Sequence, residues 1–177
     1  MGRRCASRPS IRRSARRCAK WSIRWRKPAF EDTSAMYDRN NVFAKILRGE
    51  IPAFKVHEDE HTLAFMDAMP QSDGHTLVIP KVEATNLFDI EPEALGELIK
   101  ATQRIARAVR QAFDAPGLRI IQFNGATAGQ TVFHIHFHIV PCYEGVELRH
   151  HSRDWADKEV LAEHAERIKR ALAELDR

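Results

Sequence analysis

The chain predicts an α+β domain: a five-stranded antiparallel sheet with a long helix on one face, plus a C-terminal helix. Three observations carry that expectation. Short apolar runs bounded by turn residues recur at 54–58, 62–67, 75–80, 118–123 and 131–140, the lengths and spacing of sheet strands. One long stretch of 3.6-residue periodicity falls between the third and fourth runs. The resulting order, β-β-β-α-β-β, suits an antiparallel sheet with its helix packed on one side.

In chain order, 42–48 predicts a short helical turn with Val42, Phe43, Ile46 and Leu47 on its apolar side, ended by Gly49 and Pro52. Runs 54–58 and 62–67 predict a hairpin joined through polar residues 59–61. The turn Pro70-Gln-Ser-Asp-Gly74 leads into a third strand, 75–80. The long helix is expected to start near Pro92. Its buried stripe is Leu95, Leu98, Ile99, Thr102, Ile105, Ala106, Val109 and Phe113, with Pro116-Gly117 as the stop. A fourth strand, 118–123, and a loop of small residues, 124–130, precede a fifth strand, 131–140, closed by Pro141. A last amphipathic helix is expected over 154–175, with Val160, Leu161, Ala165, Ile168, Leu172 and Leu175 on its packing face.

The first 35 residues form a separate block. Eleven Lys and Arg precede the first acidic residue, Glu31, whereas 36–177 carry 17 basic and 22 acidic residues. The domain is therefore mildly acidic, and the overall +4 charge gives no argument for nucleic-acid binding. Arg13, Arg16, Arg17, Lys20 and Arg24 recur at helical spacing opposite Ile11, Ala15, Cys18 and Trp25. That pattern fits a mitochondrial presequence or a membrane-surface helix, against the alternative that translation starts at Met36. The expected organisation is a basic tail at 1–35, the main domain at 36–145 and a carboxy-terminal extension at 146–177. No apolar run has membrane-spanning length. Cys5, Cys18 and Cys142 show no disulfide or metal-ligand spacing, which favours a reducing, cytoplasmic setting.

Chemistry concentrates in His134-Ile-His-Phe-His-Ile-Val140. In a strand, side chains alternate faces, so His134, His136 and His138 share one side and Ile135, Phe137 and Ile139 enter the core. Three co-facial imidazoles pack poorly unless they have polar work to do. The preceding loop, Asn124-Gly-Ala-Thr-Ala-Gly-Gln-Thr131, lets backbone approach a ligand closely, and its amides suggest an anion-binding nest, with Gln130 and Thr131 as side-chain donors. Two chemistries fit. A zinc site would take two of these histidines, His75 as a third ligand and a carboxylate that the strand and loop do not supply. Nucleophilic catalysis at phosphorus would use His136, flanked on both sides, as the attacking imidazole. The second is preferred. His57, His61, His150, His151 and His164 lie among charged residues and are expected to be solvated.

The histidine run resembles the His-φ-His-φ-His-φ-φ signature of the histidine triad (HIT) superfamily of nucleotide hydrolases and transferases. Asn41-Val-Phe-Ala-Lys-Ile-Leu-Arg-Gly-Glu-Ile-Pro52, Leu63-Ala-Phe-Met-Asp67, Gly74-His-Thr-Leu-Val-Ile-Pro-Lys81 and Ala128-Gly-Gln-Thr131 extend the likeness to the bacterial nucleotide-binding branch. The resemblance implies a HIT-like fold and a nucleotidyl-histidine intermediate on His136. It implies that His134 and His138 orient and polarise the phosphate and the attacking ring, with His75 as fourth member. It places Thr131 near the leaving group and Gln130, Gly129 and Asn124 on the phosphate side. Asp67 would bind the ribose hydroxyls, and Val42, Phe43, Ile46 and Phe65 would line the purine pocket.

The implied reaction is phosphoramidase-type hydrolysis of purine nucleoside 5′-monophosphate conjugates by a homodimer. No metal and no cofactor are expected, and neither nucleic acid nor membrane is an expected partner. The alternatives are a dinucleoside polyphosphate hydrolase of the same fold and a nucleotide-binding regulatory module. Glutamine does not replace the third histidine, which argues against the nucleotidyltransferase branch.

Overall fold

Antiparallel pairing dominates the computed structural model, which describes residues 37–150 and 154–177. The expectations for the basic tail, for a start at Met36 and for His151 lie outside these residues. Helix α1 is Val42–Leu47, strands β1, β2 and β3 are Lys55–Glu58, Thr62–Met66 and Thr76–Pro80, and helix α2 is Pro92–Ala112. Strand β4 is Gly117–Ile121, β5 is Phe137–Cys142, and helix α3 is Lys158–Leu175. The sheet order is β1-β2-β3-β5-β4, every pair antiparallel.

Period-two alternation divides the core into two layers. Ala64, Met66, Val78, Ile135 and Ile139 face α2 and α3, meeting Leu98, Ile105, Val109, Leu161, Ile168 and Leu172. Leu63, Phe65, Leu77 and Ile79 face the other way, toward Phe43 and Ile46 of α1. Each fully buried aliphatic here contributes about 1.5–3 kcal/mol. Leu77 pairs with His138 in register, so the third histidine stands on the α1 face. The two faces thus separate packing from chemistry.

Local signals set the helix ends. Asn41 caps α1 by accepting the N–H groups of Phe43 and Ala44. Pro92 occupies the first turn of α2, where a missing N–H costs nothing. Asp157 caps α3 through the N–H of Glu159, so that helix starts four residues later than its periodicity suggested. Three positions of the expected stripes face outward: Ile99 of α2 is 46% exposed, and Val160 and Leu175 of α3 are 43% and 44% exposed. Among the described residues no helix is long and apolar enough to cross a membrane.

The fifth strand departs most from expectation. It begins at Phe137, not 131, and runs through Pro141 to Cys142 rather than stopping before the proline. β3 pairs with β5 only at 137–139, so at Pro141 the strand has β4 as its sole neighbour and the absent donor is tolerated. Upstream, Ile135 N–H bonds to the Ala84 carbonyl instead of joining the ladder. His134 and His136 therefore sit in an extended lead-in to β5. Their rings still meet Phe43 on the α1 side while Ile135 enters the opposite core, so the alternation of faces survives without the ladder.

Candidate functional site

His136 is 4% exposed, and its Nδ1–H donates to the carbonyl of His134 at 2.7 Å. A carbonyl only accepts, so the ring proton of the neutral imidazole is on Nδ1 and the lone pair is on Nε2. The ring stands edge-on to Phe43 (centroids 5.0 Å) and to His138 (4.8 Å). A fixed tautomer and a fixed rotamer are what a nucleophilic imidazole requires.

His134 does different work. Its Nε2–H donates to the Pro80 carbonyl at 3.0 Å, and its Nδ1 accepts the hydroxyl of Tyr37. With no exposed surface, the ring has its pKa pushed down by burial to about 4, against the opposing pull of the Pro80 bond. The sequence led to the expectation that His134 helps orient and polarise the phosphate and the attacking ring; in the structure both of its ring nitrogens are engaged elsewhere. It is a neutral strut whose carbonyl orients His136.

His75 and His138 form a hydrogen-bond relay, ring to ring. The Gln71 main-chain N–H donates to His75 Nδ1 at 3.0 Å, which leaves the ring proton on Nε2. His75 Nε2 lies 3.0 Å from His138 Nδ1 and 3.5 Å from Asp67 Oδ2. His138 Nδ1 accepts, so its own proton is on Nε2. The carboxylate missing from the histidine strand is thus supplied by Asp67, whose Oδ2 is 4.0 Å from His138 and whose Oδ1 is held by Met69 N–H. Among the described residues, Asp67, His75 and His138 bring three ligand atoms within 4.8 Å of one another. Their chemistry fits a cation poorly. A ligating histidine normally donates its second ring N–H outward, whereas His75 accepts there from an amide and would have to bind as an imidazolate.

The loop before the histidines is built differently from a nest. The N–H groups of Gly125, Ala128, Gly129 and Gln130 are all satisfied inside it, by Gln130 Oε1, Gly125 O, Ala126 O and Gly125 O respectively. Gly125 and Gly129 hold φ of +87° and +99°, conformations that need glycine. The buried Gln130 spends its amide N–H groups on the Thr85 and Val132 carbonyls. Asn124 accepts Leu87 N–H and donates to Gln122. The phosphate-donor expectation for Gln130 is therefore corrected: it braces the loop, and Asn124 ties that loop to residues 86–88.

Thr131 is exposed and lines an open groove of about 490 Å³ with Tyr37, Asn41, Val42, Val132 and Phe133, a volume of ligand-pocket size. Phe43 and Phe65 are buried, edge-on to each other at 5.6 Å, and Ile46 packs with them; Val42 is 39% exposed. Val42 thus reaches the groove, while Phe43 joins the apolar layer to the histidines. Two contributors escaped sequence reasoning, Tyr37 and the Gln71 amide. Neither belongs to a motif, and a main-chain donor has no residue signature at all. One solvated-histidine expectation also fails: His164 is 8% exposed, edge-on to Phe113, and burial lowers its pKa. His57 is half-buried against Arg104, and His61 and His150 are exposed.

Comparison with known proteins places this geometry. The family model described as the HIT domain matches residues 48–145. The chain is similar to the crystal structure of a HIT-like protein involved in cell-cycle regulation from Bartonella henselae, at 51% identity and TM-score 0.72, covering 76% of this chain and 98% of that one. A Zn-bound histidine triad family protein from Mycobacterium smegmatis is 41% identical with TM-score 0.69, covering 77% and 96%. A hypothetical histidine triad nucleotide-binding protein from Sulfolobus tokodaii is 34% identical with TM-score 0.71, covering 76% and 93%.

Proposed function

We propose, from the premise that this chain belongs to the HIT domain family, that it hydrolyses purine nucleoside 5′-monophosphate conjugates of the phosphoramidate type. The observation that carries the reading is the hydrogen bond from His136 Nδ1 to the His134 carbonyl, which leaves a lone pair on Nε2. In the first step Nε2 forms a bond to the α-phosphorus and the bond from phosphorus to the leaving group breaks. His138 Nε2–H donates a hydrogen bond to the phosphoryl oxygen on which charge builds, and the departing amine takes its proton from solvent in the open groove. The nucleotidyl-imidazole carries positive charge, and the His134 carbonyl on Nδ1–H offsets it. In the second step water attacks phosphorus, the bond from phosphorus to His136 Nε2 breaks, the proton of the water passes to solvent, and His136 returns to its neutral form. His75 and Asp67 hold His138 in the required tautomer throughout.

Thr131 on the groove wall is the hydroxyl beside the leaving group, and Val42, Phe43, Ile46 and Phe65 form the apolar side on which a purine would rest. Asp67 would serve ribose hydroxyls and the histidine pair from one position. The reading includes a homodimer joined through α2 and β4. β4 has a single neighbour in the sheet, and Ile120 on it and Ile99 on α2 are exposed apolar residues. Zinc, named for the Mycobacterium smegmatis structure, takes no part in this reading because of the donor polarity at His75. Turnover is expected to survive exhaustive chelation.

The test incubates the protein with adenosine 5′-phosphoramidate, other AMP conjugates and diadenosine polyphosphates, then traps and maps the covalent adduct. We expect phosphoramidates to be turned over fastest and the nucleotide to be found on His136. His136→Asn should lower turnover by about 10³-fold or more while nucleotide affinity holds. Normal turnover by that variant refutes the assignment, and a preference for the polyphosphates replaces the substrate class.

A further inference from the structure

The relay depends on a donor held from outside the histidine cluster. Gln71 N–H sets His75, and Gln71 itself is gripped by the segment that follows β5. Arg149 N–H donates to the Gln71 carbonyl at 2.9 Å, and Gln71 Nε2 donates back to the Arg149 carbonyl at 3.2 Å. The Arg149 guanidinium reaches Asp73 at 2.9 Å, and Ala156 N–H bonds to Ala68 O at 3.0 Å. Asp67 and His75 stand at the two ends of the loop these bonds hold. The reciprocal pair of bonds anchors Gln71 through its carbonyl and its side chain, and so restrains the adjoining Pro70–Gln71 peptide that carries its N–H.

We propose that Gln71 and Arg149 are positioning residues for the reaction, acting through His75: the bonds of Gln71 to the Arg149 main chain, with the Arg149 guanidinium holding that segment on Asp73, keep a main-chain donor on His75 Nδ1 and so dictate where His75 and His138 carry their protons. The inference rests on the relay described above. If the Gln71 peptide tilts away, His75 loses its tautomer preference and can place the proton on Nδ1. His75 Nε2 then becomes an acceptor facing another acceptor, His138 Nδ1. His138 must rotate or take its proton on Nδ1, and the N–H aimed at the phosphate is lost. The proposed nucleotide contacts include neither residue, so the loss is expected in the chemical step.

The experiment compares the full chain with Gln71→Ala, Arg149→Ala and Arg149→Lys. Long-range ¹H–¹⁵N NMR of the free protein reads the tautomer of His75, and steady-state kinetics on an AMP phosphoramidate read kcat and KM separately. The intact chain should show His75 with Nδ1 unprotonated. Gln71→Ala should show a mixture of tautomers, with kcat down about 10- to 100-fold and KM within about two-fold. Arg149→Ala, which keeps its main-chain bonds and loses only the exposed pair with Asp73, should show the same change to a smaller degree. Arg149→Lys keeps a cation for Asp73 and should recover most of kcat. Both residues lie at least partly at the surface, so folded variants are expected. An Nδ1–H tautomer in the intact chain overturns the proposal, as does a kcat unchanged in both alanine variants. Because the tautomer is read without substrate, a wrong substrate class leaves that arm intact.

Discussion

Three histidines that look equivalent in the sequence are made unequal by their hydrogen bonds. His136 donates to its neighbour's carbonyl and is left with a nucleophilic nitrogen; His138 accepts from His75; His134 is used on both sides and stays neutral. That inequality has a pH signature. The folded pKa of His134, about 4, lies below the value of roughly 6.5 in an unfolded chain. The unfolded state therefore takes up the proton first as pH falls, and stability is lost between about 6.5 and 4. For this one group the loss at pH 5 relative to pH 7 is about 2 kcal/mol, and the lowered pKa of His164 acts in the same direction. Urea denaturation at the two pH values should show that decline, and equal stabilities would remove the assignment of a buried neutral His134. The co-facial pattern was legible because alternation is local. The protonation pattern was not, since the partners of His134 lie 54 and 97 residues away in the chain.

Among the elements, the junction of the 68–74 loop with β3 carries the tightest packing near the site. Gly74 has φ of +81°, and a Cβ there would meet the Phe113 ring at 2.7 Å. Phe113 cannot yield freely: Arg167 of α3 lies over its ring at 4.4 Å and His164 stands edge-on at 5.0 Å. Gly74→Ala should therefore cost about 2–4 kcal/mol, combining left-handed strain with overpacking. Adding Phe113→Leu should return the overpacking part in a double-mutant cycle read by denaturant titration. A loss below 0.5 kcal/mol would mean the ring moves aside. Element types and order followed from periodicity and from Pro and Gly stops. The start of β5 did not, because His136 draws the His134 carbonyl out of the ladder, and no propensity anticipates a side chain competing with a strand partner.

At the scale of the whole molecule, one sheet separates a packing face under α2 and α3 from a chemical face under α1, and the carboxy-terminal extension returns to hold the loop between Asp67 and His75. Among the described residues β4, like β1 at the other end of the sheet, has one strand neighbour and an unpaired outer edge. The intact chain should sediment as a dimer, and Ile120→Lys, which places a charge on the β4 edge, should shift it toward monomer. A monomer at micromolar concentration in the unaltered chain would retire the dimer reading. The amino-acid sequence by itself determined the family, the five strands and long helix, and which residues share a face, because each of these rests on spacing within a few residues. Only the tertiary structure decided that His134 is a strut, that Gln130 braces rather than binds, that Asp67 joins the histidines and that a Gln71 amide sets the relay. Those outcomes depend on hydrogen-bond partners brought together by the sheet and by the returning extension, and no local pattern encodes a partner that folding delivers from elsewhere in the chain.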